Sequence, residues 1–314
     1  MKKKYSKAMV IAVASMMMAA CETATVGQSV PSQQKALYVV QDYVGDGIFT
    51  QGIEGPAVGP DGHLYAVNFA REGTIGRVVN GNDGLGNAGL FVQLPTGSTG
   101  NGIRFDQAGN MYIADYVGHN ILRVDMATRE IKVFAHNAAM NQPNDIAISA
   151  AGTLYASDPK WADNSGQLWR IDRDGTTHLL EANMGTTNGV EVSTDEKHLY
   201  VNESVQRKVW VYDILPDGGV ANKRLLIEFA DHGLDGMRCD SQGNLYIARY
   251  GAGVVAVVSP AGQLLREIQL KGQKPTNVAF GGEDGKTLYI TLQERGAIEV
   301  TRVEFPGRAH QLRK

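Results

Sequence analysis

The chain has 314 residues, 43% of them hydrophobic, enough to bury a large core; a prior of about 150 residues per domain allows two units. Its formal net charge is −3 and its basic residues are scattered. No basic stripe exists for a nucleic-acid partner, and that class is excluded.

The first element, residues 1–20, reads MKKKYSKAMVIAVASMMMAA, a lysine-rich start followed by a short apolar run and small residues. This is the pattern of a secretory signal peptide, too short to span a bilayer. Cys21 follows two alanines. Small-small-Cys resembles the bacterial lipobox, although Met18 stands where that motif favours leucine. The expectation is an exported protein, periplasmic or held in a bacterial envelope, with a lipid on Cys21 as its only membrane attachment. Residues 21–35 are small, polar and aperiodic and read as a tether. The folded domain is expected over 36–314. Cys239, the only other cysteine, lies in an apolar segment and is expected as a buried small hydrophobe.

Six later segments repeat one pattern: GIEGPAVGPDGHLYAVN, TGNGIRFDQAGNMYIAD, QPNDIAISAAGTLYASD, TTNGVEVSTDEKHLYVN, GLDGMRCDSQGNLYIAR and KPTNVAFGGEDGKTLYIT. Each is a short strand, a polar turn and a second strand carrying a tyrosine: Tyr65, Tyr112, Tyr155, Tyr200, Tyr246 and Tyr289. A spacing of 43 to 47 residues, with two more strand-like runs in each interval, predicts an all-β, six-bladed β-propeller of four-stranded blades. The last interval holds only GAIEVTRVEF before the end of the chain. ALYVVQDYV near residue 37 is expected to supply the missing strand, so that N- and C-terminal strands pair and close the ring. The glycine-rich stretch NGNDGLGNAG near residue 80 reads as a long loop between outer strands.

One position falls eleven or twelve residues before each tyrosine: Glu54, Asn101, Asn144, Asn188, Asp235 and Asn277. Every one carries a side-chain oxygen and precedes the innermost strand, so six oxygens converge on the propeller axis. Asn and Asp also cap turns before strands. That reading suits Glu54 poorly, and for Asn101 and Asn277 it stays equally open. Two carboxylates with neutral amide oxygens balance a dication and offer only hard donors, which favours calcium over zinc or iron.

EGPAV at Glu54, QPND at Asn144, TNGVEVSTDEKHLYV at Asn188, LDGMRCDSQGNLYIA at Asp235 and PTNVAFGGEDGKTLYIT at Asn277 resemble the SMP-30/gluconolactonase family and its diisopropylfluorophosphatase-like relatives. The resemblance covers residues 36 to 305. It implies that Glu54, Asn144, Asn188 and Asp235 hold a divalent cation, that Asp235 is a catalytic base or nucleophile, and that Asn101 and Asp145 stand beside a small lactone or ester substrate. Family members that take sugar lactones often place an arginine just before the Asn-Asp pair; Gln142 and Pro143 stand here, which argues against gluconolactone as the substrate.

Loops between the second and third strands should open on the cation side. They place Arg71, Tyr116, His119, Trp161 and Tyr250 at the mouth as candidate substrate-binding residues, with His232 nearby. Two other functions fit a propeller: an envelope protein whose rim binds a partner, and a strictosidine-synthase-like propeller of different chemistry. The oxygen quartet favours the metal-dependent hydrolase of lactones or small esters.

Overall fold

A computed structural model describes Met1 and residues 36–312. The leader, Cys21 and the tether lie outside the described residues. Among the described residues, the strands form six four-stranded antiparallel sheets. Blade one comprises Ala57–Val58, Leu64–Val67, Thr74–Asn80 and Gly86–Gln93; blade two, Gly100–Phe105, Met111–Asp115, Asn120–Val124 and Ile131–His136. Blade three comprises Ile146–Ile148, Leu154–Lys160, Ser165–Ile171 and Thr177–Met184; blade four, Thr187–Val192, His198–Glu203, Lys208–Ile214 and Val220–Glu228. Blade five comprises Met237–Cys239, Leu245–Arg249, Val254–Val258 and Leu264–Gln269.

Blade six takes Pro275–Gly281, Thr287–Leu292 and Ala297–Arg302 from the end of the chain and Gln41–Val44 from its beginning. Gln41 pairs with Val300 and Val44 with Ile298, antiparallel. The expected closure is therefore formed, and no blade is left with three strands. Inner strands of neighbouring blades touch all the way round, blade six against blade one included. The fold is a six-bladed β-propeller.

The glycine-rich stretch near residue 80 is not a long loop. Asn80 and Gly86 already pair across a tight turn, and Gly86–Gln93 is a strand. Glycines there leave room for neighbours: a Cβ on Gly86 would stand 2.6 Å from the Tyr43 ring.

The core is divided into layers between blades. Ala57, Tyr65, Ile75 and Phe91 of blade one pack on Ile103, Met111, Ile113 and Leu122 of blade two. The seam is built in the same way, from Ile53, Val58 and Leu64 against Val44, Ala279, Tyr289 and Ile298 of blade six. All six repeat tyrosines are buried. Tyr65 meets Phe105 of the next blade and Tyr246 meets Phe280, with ring centroids 5.6 and 5.0 Å apart. Such aromatic pairs add about 0.5–1.5 kcal/mol beyond their buried area, which explains why the repeat keeps an aromatic ring at this position.

Candidate metal centre

The start of each inner strand carries one member of the oxygen ring, and the residue after it is glycine in four blades: Gly55, Gly102, Gly189 and Gly236. These glycines allow neighbouring backbones to close on the axis. A Cβ on Gly55 would lie 1.9 Å from the Asn101 carbonyl oxygen, and one on Gly236 1.9 Å from Asn277 Cγ.

Glu54, Asn144, Asn188 and Asn277 are buried, whereas Asn101 and Asp235 keep some exposure. Asn101 and Asn277 act as latches. Asn101 Nδ2 donates to the Asn144 carbonyl at 3.1 Å, and Asn277 Nδ2 donates to Glu54 Oε2 at 3.0 Å. The Gly55 amide also donates to that carboxylate. Asp235 and Glu54 are in hydrogen-bond contact, and Asn188 is in hydrogen-bond contact with Asp235. Burial, then the charge of Glu54, raises the Asp235 carboxyl well above the usual carboxylate range. Burial, then the charge of Asp145, pushes Glu54 up to about 7.

Two atoms decide what this ring suits. Asn144 Oδ1 and Asn188 Oδ1 are buried and accept no hydrogen bond. A buried polar atom without a partner costs about 1–3 kcal/mol. Here two such oxygens stand in one ring with two carboxylates that repel each other, and a dication answers both defects. Among the described residues no three His, Cys, Asp or Glu side chains cluster as a metal site. A cation in this ring therefore relies on amide oxygens as well as carboxylates, a donor set suited to a hard ion.

A second layer lies three residues further along the inner strands, where Arg104, Glu191 and Arg238 occupy equivalent positions with Ala57, Ala147 and Phe280. Asp145, fully buried, accepts from Arg104 Nη1 at 3.2 Å and from Arg238 Nη1 at 3.1 Å. Arg104 Nη2 lies 3.6 Å from Glu191. The Asp145 carboxylate is thus committed to this layer, and both its oxygens are engaged. Beyond it, Arg308 of the terminal helix Arg308–Leu312 reaches the Ile148 carbonyl and Glu191. It borders a cavity of about 110 Å³ lined further along the inner strands by Val58, Phe105, Ile148 and Cys239.

Around the mouth, Tyr116 is in hydrogen-bond contact with Trp161 and Gln142, and burial raises its phenol pKa. His119 binds the Met140 carbonyl through Nδ1 at 2.9 Å. Trp161 opens the single-turn helix Trp161–Asp163 and is exposed. Arg71 bends outward to Gln93 on the outermost strand of blade one, so it is not gathered with the others.

Sequence reasoning missed the charged layer and a set of clamps three residues after the repeat tyrosines: Asn68, Asp115, Asp158, Glu203 and Arg249. Each is buried and binds backbone near the start of the inner strand. Asp158, for example, accepts from the Asn141 and Gln142 amides at 2.9 and 2.6 Å, just before Asn144. A polar residue at a constant offset was the signal that could have found them.

The sequence pattern of the SMP-30/Gluconolactonase/LRE-like region matches residues 54–294, from the first ring carboxylate to the last blade. The chain belongs to this family. Gluconolactonase of Zymomonas mobilis is 32% identical over 216 residues, which span 61% of this chain and 60% of that protein. The 6-deoxy-6-sulfogluconolactonase of Pseudomonas putida is 35% identical over 178 residues, 52% of this chain and 60% of that one. The chain thus matches about 60% of the length of these curated relatives. Among solved structures, a calcium-binding regucalcin from Agrobacterium tumefaciens superposes with a TM-score of 0.73 at 20% identity, over 85% of this chain and 95% of that one. That likeness establishes the shared propeller fold of this family member.

Proposed function

We propose that the chain is a divalent-cation-dependent hydrolase of lactones or small esters, with calcium as its cation. The observation that carries this reading is the pair of buried, unpartnered oxygens, Asn144 Oδ1 and Asn188 Oδ1, in one ring with Glu54 and Asp235. Relatives named gluconolactonase and sulfogluconolactonase support lactones as the substrate class. The relative named as calcium-binding supports the cation.

Glu54, Asn144, Asn188 and Asp235 would hold the ion. When bound, a dication supplies Lewis acidity that polarises a substrate carbonyl and stabilises the oxyanion of the addition step. Asp235 keeps an exposed edge toward the mouth; ionised, it takes the proton of the attacking water or itself attacks the carbonyl carbon. Asn277 and the Gly55 amide hold the Glu54 carboxylate in place through Oε2. Asn101 sits beside the incoming substrate with its amide tied to the Asn144 carbonyl. The lysine-rich leader and Cys21 support export, with a lipid on Cys21 as the tether.

The test is hydrolysis of a panel of lactones and aryl esters by the purified chain, with and without chelator, beside Glu54→Gln and Asp235→Asn. Turnover lost with chelator and in both variants is the expected result. Chelator-resistant turnover would remove the cation from the reaction. A chain that binds no calcium and hydrolyses nothing points instead to a propeller that binds a partner. A single turnover in ¹⁸O water separates the two roles of Asp235, since only a nucleophilic carboxylate acquires the label.

A further inference from the structure

The oxygen ring is open to solvent at two of its six members, Asn101 of blade two and Asp235 of blade five. In a six-membered ring these blades face each other across the axis. A carbonyl compound entering from the mouth therefore meets Asp235 on one side, and the rest of the molecule extends over Asn101 toward blades two and three. The surface it meets there is aromatic. Tyr116 is tied to Trp161 and to Gln142, and the Trp161 turn is closed by Asn164 in the left-handed region at φ 55°. Trp161 is 37% exposed, whereas Trp169 is buried at 3%. An indole fixed by Tyr116 and still partly exposed offers an apolar edge that a bound molecule can cover.

Charge on this side is already matched. Lys160 pairs with Asp163 at 2.6 Å, and His119 is bound to the Met140 carbonyl. Lys274 lies over the Tyr250 ring at 5.8 Å, on the opposite side of the mouth. An anionic substituent over blades two and three therefore meets no unpaired cation at Lys160 or His119.

We propose that this site selects uncharged lactones or esters carrying a flat apolar substituent, which lies against Tyr116 and Trp161. This inference rests on the hydrolase reading above. Trp161 is the specificity-determining residue, and Tyr116 positions it.

The test compares γ-phenyl-γ-butyrolactone, unsubstituted γ-butyrolactone, glucono-δ-lactone and a carboxylate-bearing γ-lactone, with calcium present. The phenyl lactone should show the highest kcat/KM. Trp161→Ala should lower that value about tenfold more than it lowers the value for γ-butyrolactone, through KM, as expected for a lost apolar contact; Trp161→Phe should restore most of it. Faster turnover of the gluconolactone or the anionic lactone, or an equal loss on all substrates, overturns the proposal. Should no lactone turn over, calorimetry with γ-phenyl-γ-butyrolactam decides separately. Binding weakened by Trp161→Ala sustains the aromatic subsite while the hydrolase reading falls, and no binding overturns both.

Discussion

Asn277 Nδ2 donates to Glu54 Oε2 at 3.0 Å, joining residues 223 positions apart at the seam between the last blade and the first. The carboxylate given by blade one is thus oriented by blade six. A hydrogen bond to a charged group is worth about 1.5–3 kcal/mol, so Asn277→Ala should weaken calcium binding by about tenfold or more. Isothermal calorimetry measures this. Unchanged affinity would show that the Gly55 amide alone holds Glu54.

The pH response has a definite sign. Glu54 is pushed up to about 7 from an ordinary value of 4.5. Between these values the cation-free folded chain binds more protons than the unfolded one. The Glu54 contribution to stability, complete below about pH 4.5, is therefore lost as the pH rises through about 7. Asp235, also raised, adds to the same trend. A bound dication needs the ionised carboxylates and reverses the trend. The rise in melting temperature on adding calcium should be small near pH 5 and large near pH 8; thermal melts at the two values check it, and equal shifts would contradict the assignment.

Close approach at the axis makes the glycines brittle. A Cβ on Gly102 would lie 2.7 Å from Asp145 Oδ1 and 2.8 Å from its Cα. Gly102→Ala should cost about 1–3 kcal/mol through overpacking and displace Asn144 as well. Urea unfolding and calcium titration should fall together in this variant, whereas Gly89→Ala, where a Cβ meets nothing within 4 Å, should leave both unchanged.

Closure should be the stability limit of the ring. Val44 is 2% exposed within the seam layer, and burying a carboxylate there carries a penalty of several kcal/mol. Val44→Asp should free the edge of Ala297–Arg302 and promote edge-to-edge association. Size-exclusion chromatography would show oligomers; a stable monomer would mean that blade six holds with three strands.

The architecture was legible because a propeller writes its geometry as a period. Tyr65 to Tyr289 mark the blades, and the ring from Glu54 to Asn277 falls eleven or twelve residues before them. The charged layer was hidden for the opposite reason. Arg104, Asp145, Glu191 and Arg238 come from four different blades and mix both signs of charge, while the positions equivalent to Arg104 in blades one, three and six hold Ala57, Ala147 and Phe280, so only the folded ring reveals them as one layer. Arg71 illustrates a third limit: a loop position predicts the end of the propeller a side chain starts from, while the Gln93 amide on the outer strand decides where it points. The clamps at Asp115 and Asp158 were visible as a polar position but mixed with Asn, Glu and Arg, which concealed their common task.

Arg104, Asp145, Glu191 and Arg238, interlocked across the axis, stand like a floor beneath the oxygen ring. On the proposed hydrolase reading, substrate and product use the side above that floor in turn, as in a lane too narrow for passing. A hydroxy acid formed there would hold the place that the next substrate needs, and its inhibition should be competitive.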